Sequence, residues 1–391
     1  MRDWAGVRAP LHTTDHLRVP NRIAFVLLGV ATVLLVVLLL PEGNHIGRTH
    51  RHLRRMSATT YSQLNTTYPH SSPIYTKNGE RRLRIAVVAD LDKKSAVSNG
   101  KKSVSTWKSY LRRGWLILSE GNENARVEWD KRAITLTSRV SEGGRGMELS
   151  DLVFYNGRLL AVDDRTGVVF QFPAFDCHSC TEMKAVPWSI LSDGPGTVTK
   201  GFKAEWMTVK EGHLFVGGLG KPWTTLTGEY ENDHPQWVKK IGPNGGVKHL
   251  SWVSQYVSMM SAVGIEDPGY IIHESAAWSD KHRSWYFLPR RASSEKYNDV
   301  DDEHRATNLL IKADEKFKTI NTQRIGILSP TVGYSAFKFV PGTDDDIIVA
   351  VKSEEDQGTI ASYITVFNLD GYILLDPVQF DDVKYEGIEF I

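Results

Sequence analysis

The chain has 391 residues and a formal net charge of +1, with 47 Lys and Arg against 46 Asp and Glu, so no global charge points to nucleic acid. Its length would hold two average domains or one large repeat domain behind an anchor. Eleven Trp, 14 Tyr and 14 Phe supply ample apolar area for a core.

Residues 1–22 read as a cytoplasmic tail. Ile23 to Leu40 is an uncharged, apolar run of 18 residues. As a helix it would span about 27 Å, enough for a thin bilayer, and it is expected to be a transmembrane signal-anchor. A cleaved signal peptide fits less well, because its apolar core is shorter and no small-residue cleavage site precedes Pro41-Glu42-Gly43. Arginines on both sides of the run leave the positive-inside rule nearly silent. The short tail and the sequon Asn65-Thr66-Thr67 favour a type II arrangement with the downstream side in the lumen. Residues 41–80, rich in Arg, His, Ser, Thr, Tyr and Pro without periodicity, read as a luminal stem.

The globular part is expected over residues 81–391. Arg84 to Ala89 is a buried strand opening onto Asp90-Leu91-Asp92. Trp107 to Leu111, Gly114 to Leu118, Ala125 to Trp129 and Ile134 to Leu136 follow in the same unit, the last two as its outer strands. Then comes Leu149 to Tyr155, a tight Asn156-Gly157 turn, and Arg158 to Asp163. Apolar runs flank a dipeptide that tolerates positive φ. The pattern recurs: Glu205 to Val209 turns at Glu211-Gly212 into His213 to Gly217. Glu274 to Trp278 turns at Asp280-Lys281 into Trp285 to Leu288, and Ser335 to Phe339 turns at Pro341-Gly342 into Ile347 to Val351. Tyr385 to Ile391 is the first half of one more copy, and its missing half matches Arg84 to Asp90. Copies start at 150, 205, 274, 335 and 386, between 51 and 69 residues apart. A period of that size with several strands per unit predicts an all-β fold, a five-bladed β-propeller whose C-terminal strand closes the first blade.

Two other features lie along the chain. Cys177-His178-Ser179-Cys180 holds both cysteines; zinc needs four ligands and no second pair exists, which leaves a local disulfide or two incidental thiols. Gly217-Gly218-Leu219-Gly220-Lys221 does not match a P-loop, and a tight turn is its default reading.

Equivalent inner-strand positions of a propeller converge on its axis. Here they are Ser150, Glu205, Glu274, Ser335 and Glu386, with Asp151 adjacent. Three carboxylates left bare there would repel one another. An oxygen-only anionic ring suits Ca²⁺, which accepts six to eight oxygens in loose geometry. The ends of the second strands form a mouth of mixed charge: Asp90, Asp92, Asp163, Asp164, Arg165, Lys221, Arg290, Arg291, and Lys352 with Glu354 and Glu355. Such a mouth suits a polyphosphate, whose oxygens the cations grip while a carboxylate orients water. Surface salt bridges are the plain alternative for any single pair.

The segments RIAVVADLD, VEWD, GRGMELSDL, VDDRTGVV, KGFKAEWM, VGGLGKPW, HESAAWSD, FLPRRAS, FKFVPGTDD, VAVKSEED and KYEGIEFI together resemble the calcium-activated nucleotidases, or apyrases, over about Arg84 to Ile391. The resemblance implies a five-bladed propeller with Ca²⁺ in its central tunnel that hydrolyses nucleoside di- and triphosphates, with UDP, GDP and UTP preferred over ADP and ATP. It implies calcium-ligand roles for Ser150, Asp151, Glu205, Glu274, Ser335 and Glu386. Catalytic roles are expected for Asp90, Asp92, Asp163, Asp164 and Arg165, and substrate binding for Lys221, Arg290, Arg291 and Lys352. Pro173 to Met183, with the cysteine pair, looks longer than the family's usual connection there.

The expected partners are a nucleotide, the membrane through the anchor and, as an oligomer, a homodimer. No nucleic acid is expected. The expected place is the ER/Golgi membrane, with a form released by cleavage left open, and the expected task is clearing UDP to support glycosylation and proteoglycan synthesis. Two rivals stand beside this: a luminal glycosyltransferase using Asp90-Leu91-Asp92, which would need a parallel sheet, and a non-catalytic propeller scaffold with a structural ion.

Overall fold

The computed structural model describes residues 64–97 and 106–391. They are nearly all β: only two α-helices, Val253–Ala262 and the single turn Asp299–Asp302, occur among them. The run Ile23 to Leu40 read as an anchor, the tail and residues 41–63 of the stem lie outside the described residues. Among the described residues no helix is long and apolar enough to cross a membrane. The compact unit begins at Leu64, within the segment read as stem. There Ile74–Tyr75 pairs with Arg81–Ala89, and Ser71 Oγ donates to the Ile391 carbonyl at 2.6 Å.

Four sheets are regular antiparallel meanders of four strands, arranged in a propeller-like manner. They begin at Leu149–Tyr155, Trp206–Lys210, Ala276–Ser279 and Val332–Phe339. The local cause is the turn chemistry. Asn156 and Gly157 sit at φ +49° and +73°, Glu211 and Gly212 at +50° and +70°, which matches a two-residue hairpin turn to the right-handed twist of its strands. Wherever the next strand follows, side chains that alternate along it bury one face against each neighbouring sheet.

Two short pairings, Trp223–Thr224 with Tyr230–Asn232 and Tyr270–Ile272 with Arg291–Ser293, stand outside the meanders, and the largest sheet is different. It has seven strands: Trp107–Leu118 carries both Ala125–Trp129 and Ile134–Ser138, and Tyr385–Phe390 pairs antiparallel with Arg81–Ala89. The chain's last strand thus completes the sheet that its first long strand starts, as the split repeat predicts. The expectation of five alike blades is corrected to four regular ones plus this larger sheet. It is larger because both chain ends contribute to it and because Glu182–Lys184, reaching across from the next unit, adds a parallel strand at Thr135 to Thr137. That pairing is the one parallel ladder among the named strands; the rest are antiparallel, which removes the glycosyltransferase reading and its parallel sheet.

The first strands adjoin in a cycle. Tyr385–Phe390 lies beside Leu149–Tyr155, which lies beside Trp206–Lys210, then Ala276–Ser279, then Val332–Phe339, which returns to Tyr385–Phe390. The apolar core is correspondingly split into clusters between successive sheets. One joins Ile85, Val87, Val349, Val351 and Ile388; another joins Trp206, Phe215, Trp278, Trp285 and Phe287. Each inner strand is buried on both faces, which is why Leu149–Tyr155 and Tyr385–Phe390 are buried at every residue.

Cys177 and Cys180 form a disulfide across three residues of sequence separation. It sits in the connection that leads to Glu182–Lys184, held by Arg113 donating to the carbonyls of Phe175 and Cys177 at 3.2 and 2.9 Å.

Candidate active site and metal centre

Three of the five aligned positions share a structural device that their spacing alone does not reveal. Ser150, Ser335 and Glu386 are each the extra residue where a ladder slips register: between Leu149 and Asp151, between Tyr334 and Ala336, and opposite the Val88/Ala89 step. A β-bulge re-aims the side chain it carries, and bulges concentrate beside active sites. Glu205 and Glu274 stand just before Trp206–Lys210 and Ala276–Ser279. Strand alternation would have turned neighbouring side chains into the sheet interfaces. The bulges and strand starts release these instead.

Glu205, Glu274 and Glu386 line one cavity of about 380 Å³, together with Asp90, Asp92, Asp164, Arg165, Lys221, Arg290 and Arg291. Ten of the fifteen expected site residues therefore meet around one space. A buried arginine ties three of its acids together: Arg290 Nη1 donates to Glu274 Oε2 at 2.5 Å and to Glu386 Oε1 at 2.9 Å, and its Nη2 donates to Glu355 Oε2 at 2.7 Å. Gly333 makes room for it, since a Cβ there would stand 2.6 Å from Arg290 Cγ and 2.7 Å from its carbonyl oxygen. Lys384 Nζ lies 2.7 Å from Asp90 Oδ2, 3.0 Å from Asp92 Oδ2 and 3.6 Å from Glu386 Oε1. Lys203 pairs with Asp164 and lies 2.7 Å from Glu205 Oε1.

These contacts set the protonation. Burial pushes Asp90 up to about 7 against the pull of Lys384, and pushes Glu205 up to about 8 despite Lys203. Burial also raises Glu386 well above the ordinary carboxylate range. Burial alone would lower Arg290, but Glu274, Glu355 and Glu386 together hold it well above its usual value. Glu355 goes the other way: burial is outweighed by Arg290 and Lys384, and it falls to about 2.

Several expected site residues are not at the cavity. Asp163 is fully buried and accepts from the amides of Met147, Arg165 and Thr166 at 2.7, 2.9 and 3.3 Å, so its carboxylate shapes the turn that presents Asp164 and Arg165. Asp151, expected among the metal ligands, spends both oxygens on Lys338 Nζ at 3.2 and 3.3 Å and on the amides of Met207 and Leu152. Lys352 packs its Nζ 4.8 Å from the centre of the Tyr334 ring and is lowered to about 8 by burial. Ser150 and Ser335 are buried and do not line the cavity.

The donor set fits a hard dication. Every aligned side chain offers oxygen. Ser150 Oγ is buried without a hydrogen-bond partner, and Ser335 Oγ makes only long bonds, 3.2 and 3.4 Å, to the carbonyls of Tyr385 and Val351. Nine carboxylates line the cavity against seven Lys and Arg, a formal excess of two negative charges that one dication would neutralise. At the mouth, oxygens of Asp90, Asp92 and Glu148 lie within 4.8 Å of one another, but Arg145 and Lys384 already engage them.

Sequence reasoning missed Arg145, Glu148, Lys203, Lys384 and Asp302, whereas Glu355, expected at the mouth, does line the cavity. Two of these had a signal. Lys203 precedes Glu205 by two, and Lys384 precedes Glu386 by two, so the same Lys-x-Glu register recurs in two copies. Asp302 lies in Glu295 to Arg305, a charged stretch that the repeat does not cover. There a short helical turn buries it against Tyr270 Oη and Arg291, at 2.5 and 2.6 Å.

Cavity, acids and cations together make a site that could hold a hard cation. The apyrase family model matches residues 91–391. The chain is 54% identical over 344 residues to soluble calcium-activated nucleotidase 1 of Mus musculus, covering 88% of this chain and 82% of that one. It is 45% identical over 317 residues to an apyrase of Caenorhabditis elegans, covering 80% and 85%, and 42% identical over 336 residues to an apyrase of Cimex lectularius, covering 85% and 89%. The chain belongs to the apyrase family and is an enzyme of the nucleotide-phosphatase class. Within that family it falls with the calcium-activated nucleotidases.

Proposed function

We propose that this enzyme is a Ca²⁺-dependent nucleoside diphosphatase and triphosphatase, with UDP, GDP and UTP taken in preference to ADP and ATP. The observation that carries the reading is the convergence of Glu205, Glu274 and Glu386, from three distant repeats, on one cavity whose charge is formally two negative in excess. Ser150, Glu205, Glu274, Ser335 and Glu386 would hold the ion, which when bound would offset phosphate charge and polarise the phosphorus. Arg165, Lys221 and Arg291 would grip the phosphate oxygens. Asp90, raised to about 7 by burial, would take the proton from the attacking water. A new P–O bond would form as the anhydride P–O bond breaks, leaving the nucleoside phosphate with one phosphoryl group fewer. Asp92 and Asp164 would orient that water, while Asp163 would act only by shaping the turn that carries Asp164 and Arg165. Asp151 is assigned to the fold and not to the ion.

Five inner strands would then close one ring, with the seven-stranded sheet as its fifth member. The N-terminal run would anchor the enzyme as a type II protein in the ER/Golgi membrane, with Asn65, which is exposed here, as a glycan site on the luminal side. Removal of UDP after sugar transfer would be its task.

The test is phosphate release by the full chain from UDP, GDP, UTP, ADP and ATP, with Ca²⁺, Mg²⁺ or a chelator. The expected result is release that needs Ca²⁺, is fastest with UDP and GDP, and stops with chelator. Release that is equally fast in chelator would overturn the metal part. Ca²⁺ binding without release from any nucleotide would leave a scaffold instead.

A further inference from the structure

The Cys177–Cys180 disulfide has no part in the site described above. It closes a loop over His178 and Ser179 alone, at the tip of the excursion between Val168–Gln171 and Glu182–Lys184. His178 and Ser179 are exposed, and both cysteines are partly exposed. We propose that this disulfide is a reversible thiol–disulfide exchange site for a small thiol of the glutathione type, opened by attack on Cys180 with Cys177 as the leaving sulfur.

The fold around the loop does not rest on the bond. Phe172, Phe175, Met183 and Ala185 are buried in one cluster with Trp107, Leu136 and Phe170, so both ends of the excursion are packed into the core. The backbone is held as well. Cys177 N donates to the Ala174 carbonyl at 3.0 Å, Thr135 N donates to the Thr181 carbonyl at 2.9 Å, and Arg113 holds the Cys177 carbonyl. Once opened, the two thiols therefore stay within bridging reach, on Cα atoms 5.6 Å apart, and the bond re-forms without a search. A cross-link over two residues removes little freedom from the unfolded chain, so stability is a weak reason for its presence. A partly exposed disulfide is the kind that an external thiolate reaches.

Ser179 gives the exchange its direction. Its Oγ lies 3.9 Å from Cys177 Sγ, where the hydroxyl can turn to donate to a sulfur that gains negative charge. The Arg113 guanidinium stands behind the same cysteine through its carbonyl, with its charge shared with Asp130 at 3.7 Å. Cys180 Sγ has no such donor among the described residues. The sulfur that better carries the charge leaves faster, so Cys180 is the one attacked. In the first step the incoming thiolate forms an S–S bond to Cys180 as the Cys177–Cys180 bond breaks, and the electron pair leaves on Cys177 Sγ. A second thiolate then attacks the incoming group's sulfur in the mixed disulfide, which frees the Cys180 thiolate and a small-molecule disulfide. Two small thiols are oxidised and one protein disulfide is reduced; the small-molecule disulfide runs the same steps backwards.

The experiment treats the full, folded chain with excess reduced glutathione, quenches with acid, alkylates free thiols with a maleimide and reads the peptides by mass spectrometry. The disulfide should open without denaturant. Glutathione should be found on Cys180 and the maleimide on Cys177 about fivefold more often than the reverse, the size of one hydrogen bond to the leaving sulfur. Ser179→Ala should remove that preference and slow opening about fivefold, and Ser179→Thr, which keeps a hydroxyl, should restore both. Oxidised glutathione should close the bond again in the folded chain. A bond that opens only in denaturant, an adduct shared evenly between the two cysteines, or an unchanged opening rate in Ser179→Ala would overturn the assignment.

Discussion

Two buried ionic networks lie along the same inner strands, and they differ in one respect. In the lower one, Lys338 meets Asp151, and Glu389 accepts from Phe154 N and Phe390 N and from Tyr68 Oη, at 2.9, 2.7 and 2.8 Å. Its polar atoms are matched. In the upper one, Lys203, Lys384 and Arg290 are shared among more acids than they can neutralise, and the Ser150 hydroxyl is left without a partner. A satisfied buried network holds a fold together; an unsatisfied one of net negative charge waits for a cation. Neighbouring residues of one strand fall on opposite sides of this division, since Asp151 belongs to the lower network and Ser150 to the upper.

Substitutions should separate the two networks. The largest effect is expected from Glu205→Gln or Glu386→Gln, which should cut Ca²⁺ affinity and UDP turnover together by about 10–100-fold or more while leaving the thermal midpoint without calcium close to that of the unmodified chain. Phosphate release titrated against Ca²⁺ reads this. Lys338→Met should do the reverse. It leaves Asp151 buried and unpaired, and should cost about 3–5 kcal/mol in chemical denaturation while the calcium dependence of whatever folds stays put.

The next effect is one of pH. Burial raises Glu389 to about 7, so between about pH 4.5 and 7 the folded chain holds a proton that the unfolded chain has released. Stability from this group is therefore complete below that window and is lost as pH rises through it. The size is on the order of 2–3 kcal/mol. Glu389→Gln should flatten the fall of the thermal midpoint over that range. A slope that persists in the variant would assign it to Asp163, also raised to about 7 by burial, or to the acids of the upper network.

The smallest effect is expected at Cys177–Cys180. Its loop is short, so closing it removes little entropy from the unfolded chain, and Cys177→Ser with Cys180→Ser should lower stability by about 2 kcal/mol or less. Turnover should not change. A lost activity in that double variant would tie the connection to the site through Arg113 and the seven-stranded sheet.

Much of this was legible in the chain, and the limits have physical causes. The repeat was readable because hairpin turns need particular residues at a fixed distance from the strand start, as at Asn156-Gly157 and Glu211-Gly212. Alignment by those turns picked out Glu205, Glu274 and Glu386, because one register in a cyclic fold is one height on its axis. It could not separate Ser150 from Asp151, since a bulge is decided by pairing with another strand and leaves no local mark. Asp163 and Lys352 were misplaced for a similar reason: an acid or base at a strand end can turn inward to serve a turn or a ring as easily as outward to the mouth. The apolar group of Leu219, Trp223, Ile272 and Tyr297 beside the cavity was not readable at all, because it is assembled from two excursions that no period relates.

Calcium binding to the full chain, measured by calorimetry in the unmodified enzyme and in Asp151→Asn, Glu205→Gln and Glu386→Gln, tests the division most directly. The account predicts one tight site per chain, retained with similar affinity in Asp151→Asn and weakened in both glutamate variants. Retention in the glutamate variants with loss in Asp151→Asn would contradict it.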